Sequence, residues 1–168
     1  SIRFQNSCVG EATQFQLGNS TTTSAVWNFG DGNTSNSLSP THTYTAPGTY
    51  TVSVTATSSS GTGVTTRDII IYAVPTATQP NNISICDDNN DGFYNFDLTS
   101  RKLAILNGQS ESQFNVRYFA NAVNYSNNVV ISNPASFQNT TVYQSHTIIA
   151  EVYNIANPNC KTTTTFDI

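Results

Sequence analysis

Alternation of apolar and polar residues with a period of two constrains this chain more than any other pattern. Tyr50, Val52, Val54 and Ala56 fall on one side of an extended backbone, and Thr49, Thr51, Ser53 and Thr55 on the other. The same rhythm places Ala25, Trp27 and Phe29 on one face, with Val26 and Asn28 opposite. It recurs in Phe114, Val116 and Tyr118, in Ile148, Ala150 and Val152, and in Thr164, Phe166 and Ile168. Phe15 and Leu17 mark an earlier strand, and Ile69 to Tyr72 a further one. A strand that is apolar on one face needs a second layer to cover it, so the pattern predicts packed antiparallel sheets. Only Leu98 to Leu106 suits a helix. Thr99 or Ser100 can cap its start, Asn107-Gly108 can end it, and Leu103 and Leu106 would face a sheet.

Turn chemistry separates these strands. Gly30-Asp31-Gly32 and Pro47-Gly48 supply positive φ, local Asp bonds and a fixed proline angle. The segment Ala73 to Asn82 has two prolines and no strand rhythm. It divides the chain into modules at 1–73 and 83–168, with 74–82 read as a linker. The chain starts in strand pattern at Ser1 and is expected to be a piece of a longer, processed polypeptide.

Only 10% of the residues are charged, and Thr, Ser and Asn make up about two fifths of the chain. Low charge alone would suit disorder, but 9 Phe and 8 Tyr set among alternating neighbours argue for folded β structure. A secreted β protein kept soluble by hydroxyls and amides fits this composition. Net charge is −4 and Lys102 and Lys161 are the only lysines, so nothing is available to neutralise a run of phosphates. No nucleic-acid partner is expected. No apolar run approaches the roughly 20 residues of a membrane-spanning helix, so no membrane insertion is expected either.

Trp27-Asn28-Phe29-Gly30-Asp31-Gly32, Pro40-Thr41-His42-Thr43-Tyr44 and Pro47-Gly48-Thr49-Tyr50, followed by Val52-Ser53-Val54, resemble the polycystic-kidney-disease (PKD) domain. The resemblance implies a small extracellular β-sandwich that acts as spacer or binding module, with Trp27 in its core. With it the expected fold class is all-β, two tandem Ig-like or PKD-like β-sandwich modules, the second with one short helix. Some PKD-like domains bind a cation, which makes Asp31 a candidate ligand, but its place in a Gly-Asp-Gly turn favours a structural role.

Asp87-x-Asn89-x-Asp91-Gly92 matches the front half of a calcium loop. Side-chain oxygens at alternate positions can converge on one hard cation. Leu98 stands where an EF-hand needs a bidentate Glu, so Asp97 is the expected closing ligand. The expected metal set is Asp87, Asn89, Asp91 and Asp97, with calcium as the cofactor. The competing reading is an Asx-rich hairpin turn between strands 83–86 and 93–96.

Cys86 to Ile168 as a whole resembles a repeat of very large Bacteroidota surface proteins exported by type IX secretion, of which gliding-motility adhesins are examples. The matching pieces are Ile85 to Phe93, Phe96-Asp97-Leu98, Ile105 to Gln109, Val116 to Phe119, and Asn157-x-Asn159-Cys160 ahead of Thr164 to Ile168. The resemblance implies neighbouring repeats of the same chain and the type IX machinery as partners, with a surface polysaccharide or other external ligand left open. The implied location is extracellular, at the cell surface.

The chain has 3 cysteines: Cys8, Cys86 and Cys160. Cys86 and Cys160 stand near the two ends of the second module, so a Cys86–Cys160 disulfide is expected, with Cys8 left over. Metal ligation is the rival reading, but neither CxxC nor His-rich spacing supports it. His42 and His146 are the only histidines, and no nucleophile-elbow motif accompanies them. The expected function is therefore a non-catalytic spacer or adhesive repeat of a large secreted cell-surface adhesin, of the kind that serves gliding motility. The alternative is an accessory binding or spacer region of a secreted polysaccharide- or protein-degrading enzyme.

Overall fold

The alternating segments become strands, and their apolar faces meet. The computed structural model describes residues 1–168 and divides them into two units, Ser1–Ala73 and Val74–Ile168. In the first unit β1 (Ile2–Gln5), β2 (Ala12–Leu17) and β5 (Thr41–Thr43) form one antiparallel sheet, in the order β1-β2-β5. β3 (Thr22–Asn28), β4 (Thr34–Ser35), β6 (Gly48–Ser58) and β7 (Gly61–Ile71) form the other, in the order β4-β3-β6-β7.

Ile2, Phe15 and Tyr44 from the three-stranded side pack with Ala25, Trp27, Phe29, Val52, Val54, Ile69 and Ile71 from the four-stranded side. The rings of Phe15 and Trp27 lie 5.7 Å apart and those of Phe15 and Phe29 5.3 Å apart. The Trp27 side chain is 0% exposed, as its strand face required, whereas Val26 beside it is exposed. Gly30 has φ 84°, and a Cβ there would stand 2.7 Å from the carbonyl oxygen of Thr51. That close approach of the turn after β3 to β6 leaves no room for any other residue.

The second unit is built on an antiparallel sheet of β9 (Phe114–Phe119), β11 (Thr147–Asn154) and β12 (Lys161–Asp167), with β11 central. A two-residue ladder joins β8 (Asn95–Phe96) to β10 (Phe137–Gln138). One sheet face carries Val116, Tyr118, Ile148, Ala150, Val152 and Phe166, all buried. The expected helical segment is present but begins as a 3₁₀ turn, Leu98–Arg101, before α1 (Lys102–Leu106). Asn107 (φ 46°) and Gly108 (φ 85°) end it in left-handed geometry, as their residue types require. A further turn, α2 (Ala122–Ser126), is N-capped by Asn121, whose side chain accepts from the Asn124 N–H.

Two expectations change here. Leu106 is buried as expected, together with Leu98 and Ile105, but Leu103 is 69% exposed. The buried stripe of this short segment runs through Leu98, Ile105 and Leu106, and Leu103 lies outside it. Residues 74–82 are not a free linker but an extended strap on the second unit. The Thr78 N–H donates to the Ile105 carbonyl (3.0 Å), and Thr162 Oγ1 donates to the Pro75 carbonyl (2.7 Å). Gln109 brackets Thr76, accepting from its N–H (2.9 Å) and donating to its carbonyl (2.8 Å). Arg101 donates to the carbonyls of Asn81 and Asn82. Prolines suit such a strap, because an extended segment bonded through a few carbonyls does not need every N–H.

Candidate functional site

The acidic loop of the second unit folds on its own side chains. Asp87 accepts from the backbone N–H groups of Asn90 (3.1 Å) and Gly92 (2.6 Å). Asn89 accepts from the Asp91 N–H, Asp91 accepts from the Phe93 N–H, and Asn89 Nδ2 donates to Asp91 Oδ2. The loop is clamped from outside as well. Asn139 accepts from the Tyr94 N–H and donates to the Gly92 carbonyl, both at 2.8 Å, and the Tyr143 hydroxyl donates to the Asn90 carbonyl (2.6 Å).

Asp97 is not part of this loop's bonding. It caps the 3₁₀ turn, accepting from the Thr99 N–H (2.9 Å) and hydroxyl. No group of three or more His, Cys, Asp or Glu side chains comes together in a way that could hold a metal ion. The four-residue calcium shell therefore does not assemble, because the helical turn that starts at Leu98 takes up the Asp97 carboxylate. The strands expected on either side also differ: residues 83–86 form no ladder, and only Asn95–Phe96 pairs beyond the loop.

The cysteines require a second correction. Cys86 is an exposed free thiol, whereas Cys8 and Cys160 are each disulfide-bonded. The sheet explains why Cys86 and Cys160 do not pair. The Ile83 N–H donates to the Asp167 carbonyl at the end of β12, while Cys160 stands just before its start. A strand of that length spans about 23 Å, and the three residues from Ile83 to Cys86 recover at most ~10 Å, against the ~7 Å limit for bridged Cα atoms.

The groups with catalytic potential serve the fold. His42 Nε2 lies 2.7 Å from Asp31 Oδ2, and its ring stacks on Phe29 at 4.3 Å. Asp31 also accepts from the main-chain and side-chain N–H groups of Asn33 (3.1 Å each). Partial burial pushes the Asp31 carboxyl up, but its bonds from His42 and Asn33 outweigh this and hold it below the ordinary carboxylate range. His146 Nε2 bonds the Ala120 carbonyl (2.6 Å). Burial raises the hydroxyls of Tyr44 and Tyr118 well above an ordinary phenol, which makes them poorer acids.

The lowered Asp31 value has a testable sign. Its contribution is complete above the unfolded carboxylate value, about pH 4, and is lost as pH falls through the lower folded value. Asp31→Asn is therefore expected to cost a few tenths to about 1 kcal/mol at pH 6, the range of a partly solvated pair. Urea midpoints at pH 6 and pH 2.5 check this: the gap between variant and parent closes at the lower pH.

Sequence patterns did not reveal the charged cluster on the other face of the second sheet. Glu151 is 0% exposed, in the middle of β11. Arg117 bonds its Oε1 from Nε (2.8 Å) and Nη2 (2.6 Å), and Lys161 Nζ approaches Oε2 at 3.3 Å. Arg117 lies over the Tyr153 ring (4.9 Å) and Lys161 over the Tyr125 ring (5.5 Å). The register pairs Glu151 with Arg117, a relation that emerges only once β9 and β11 are aligned.

Residues 82–168 match the Flavobacterium inter-domain disulphide bond domain, and this stretch is more than half of the chain. The chain belongs to that family. Ahead of this inter-domain disulphide bond domain, residues 3–71 match the PKD domain. Both are module types typical of extracellular proteins, and the PKD domain is a non-catalytic module. The PKD match agrees with the resemblance carried by the Trp27 and Pro40 motifs. Together they make the chain an extracellular spacer or adhesive module.

No curated protein matches the chain. Among solved structures, the PKD1 domain of Vibrio anguillarum Epp is 28% identical with a TM-score of 0.35, over 42% of this chain and 88% of that one. The PKD1 domain of the Vibrio cholerae metalloprotease PrtV is 25% identical with a TM-score of 0.36, over 42% of this chain and 91% of that one. Clostridium thermocellum CbhA fibronectin(III)-like modules are 13% identical with a TM-score of 0.45, over 100% of this chain and 93% of that one. No helix is long and apolar enough to cross a membrane.

Proposed function

We propose that this chain is a non-catalytic spacer and adhesive segment of a large surface adhesin exported by type IX secretion, serving attachment and gliding. The tandem of two module types, each typical of extracellular proteins, carries the reading. Of 3 cysteines one is free and two are disulfide-bonded, one in each unit. Disulfides persist in oxidising surroundings, in keeping with a surface location.

Peptide mapping without reductant is expected to recover Cys8 and Cys160 in disulfide-linked peptides and a Cys86 that alkylates freely. A Cys86-containing cross-link would overturn that assignment. Deletion of the parent protein is expected to abolish attachment and movement on surfaces. Loss of external polymer hydrolysis with movement intact would favour the accessory-enzyme reading instead.

The calcium reading is retained as a proposal for a smaller set, Asp87, Asn89 and Asp91, with water completing the shell. Its support is the alternate spacing of three oxygen-bearing side chains in one clamped loop. Millimolar calcium is expected to raise the melting temperature by mass action. Asp87→Asn should lose that rise and Asp97→Asn should keep it; no rise in the parent chain after prior chelation would refute the site.

A further inference from the structure

A cleft of about 380 Å³ opens in the second unit beside the acidic loop, between residues 82–85, residues 92–96 and the segment 139–145. Its volume falls within the range of small-ligand sites. Phe93, Tyr94 and Tyr143 line it and are 43%, 38% and 68% exposed, whereas the large rings of the first unit's core are fully buried. Three solvent-facing rings around one concavity are not explained by packing.

Tyr143 gives the cleft its strongest mark. Its φ of 54° is left-handed, a conformation that a bulky L-residue adopts only at a cost. The ring gains no burial in return. Instead the hydroxyl donates to the Asn90 carbonyl (2.6 Å), which fixes the ring at the rim. Gly92 meets the same segment so closely that a Cβ would lie 2.6 Å from Val142 Cβ. Asn139 ties the two walls together through its bonds to Tyr94 and Gly92. The rims are thus set in place before any ligand arrives, which reduces the ordering cost of binding.

The lining also limits the ligand's chemistry. It includes Ser84 and Gln144 as uncharged hydrogen-bonding groups and two carboxylates, Asp87 and Asp167, with no Lys, Arg or His. A polyanion would meet like charge without compensation. A neutral sugar offers what this wall accepts: an apolar C–H face for the rings, and hydroxyls that donate to carboxylate and amide oxygens. We propose that the Phe93–Tyr94–Tyr143 cleft binds a neutral glycan. The site lies wholly within the second unit and does not depend on the cystine or on the spacer reading.

The test is native affinity electrophoresis of the full chain in gels containing hydroxyethylcellulose, xylan, laminarin or galactomannan, with alginate as the anionic comparison. Retardation is expected in at least one neutral polymer and not in alginate. Calorimetry with oligosaccharides of the retarding polymer should show at least a tenfold loss of affinity in Phe93→Ala and in Tyr143→Gly. Glycine accepts the left-handed angle, so Tyr143→Gly should keep a cooperative unfolding transition while losing the ring. Absence of retardation in all four neutral polymers, retardation by alginate alone, or full affinity in a folded Tyr143→Gly would each overturn the proposal.

Discussion

Trp27→Ala is expected to destabilise the first unit by about 3–5 kcal/mol, the range for emptying a large buried aromatic site. Trp27 is wholly enclosed, with its ring against Phe15 and Nε1 donating to the Ser37 carbonyl (3.0 Å). Truncation removes the ring's contacts and leaves that carbonyl without its donor. A domain of this size has roughly 5–10 kcal/mol in total, so the loss should lower its melting temperature by at least ~12 °C. Trp27 is the only tryptophan, so circular dichroism rather than indole fluorescence must report the change. A variant that kept its melting temperature but lost glycan binding would identify Trp27 as a surface platform and contradict its burial.

Arg117→Met is expected to cost the second unit about 3–5 kcal/mol, because it leaves the enclosed Glu151 carboxylate without its two-pronged partner. Lys161 remains, but it stands 3.3 Å from the other oxygen with its side chain 39% exposed, and replaces little of what is lost. The double variant Arg117→Met with Glu151→Leu should recover much of the loss, since a well-packed apolar pair needs no buried charge compensation. Urea unfolding of the parent, both single variants and the double variant checks this. Equal destabilisation in Arg117→Met and in the double variant would show that the arginine acts through its stem and its contact with Tyr153 rather than through its charge.

What was legible in the sequence was local. The face shared by Ala25, Trp27 and Phe29 is buried, and so is the one carrying Ile148, Ala150 and Val152. Asn107-Gly108 ends the helix where glycine chemistry placed the stop. Leu103 marks the limit of periodicity: it is exposed, whereas Ile105, which the pattern did not single out, is buried.

Period-two alternation within a handful of residues settles which face of a strand is apolar, and that was sufficient for the all-β class and the two modules. Turn residues likewise act on their neighbours, so the boundary at Ala73 was visible, although the strap beyond it was not. Pairing between distant segments has no such local signal. The register of β9 on β11 brought Arg117 to Glu151, the short β8–β10 ladder joined residues some 40 positions apart, and β12 separated Cys86 from Cys160 by its own length. The spacing of Asp97 suits a ligand, but the chain turns there and makes it a helix cap. The tertiary structure decided these relations because they depend on distances in space, and only the packed sheets define those distances.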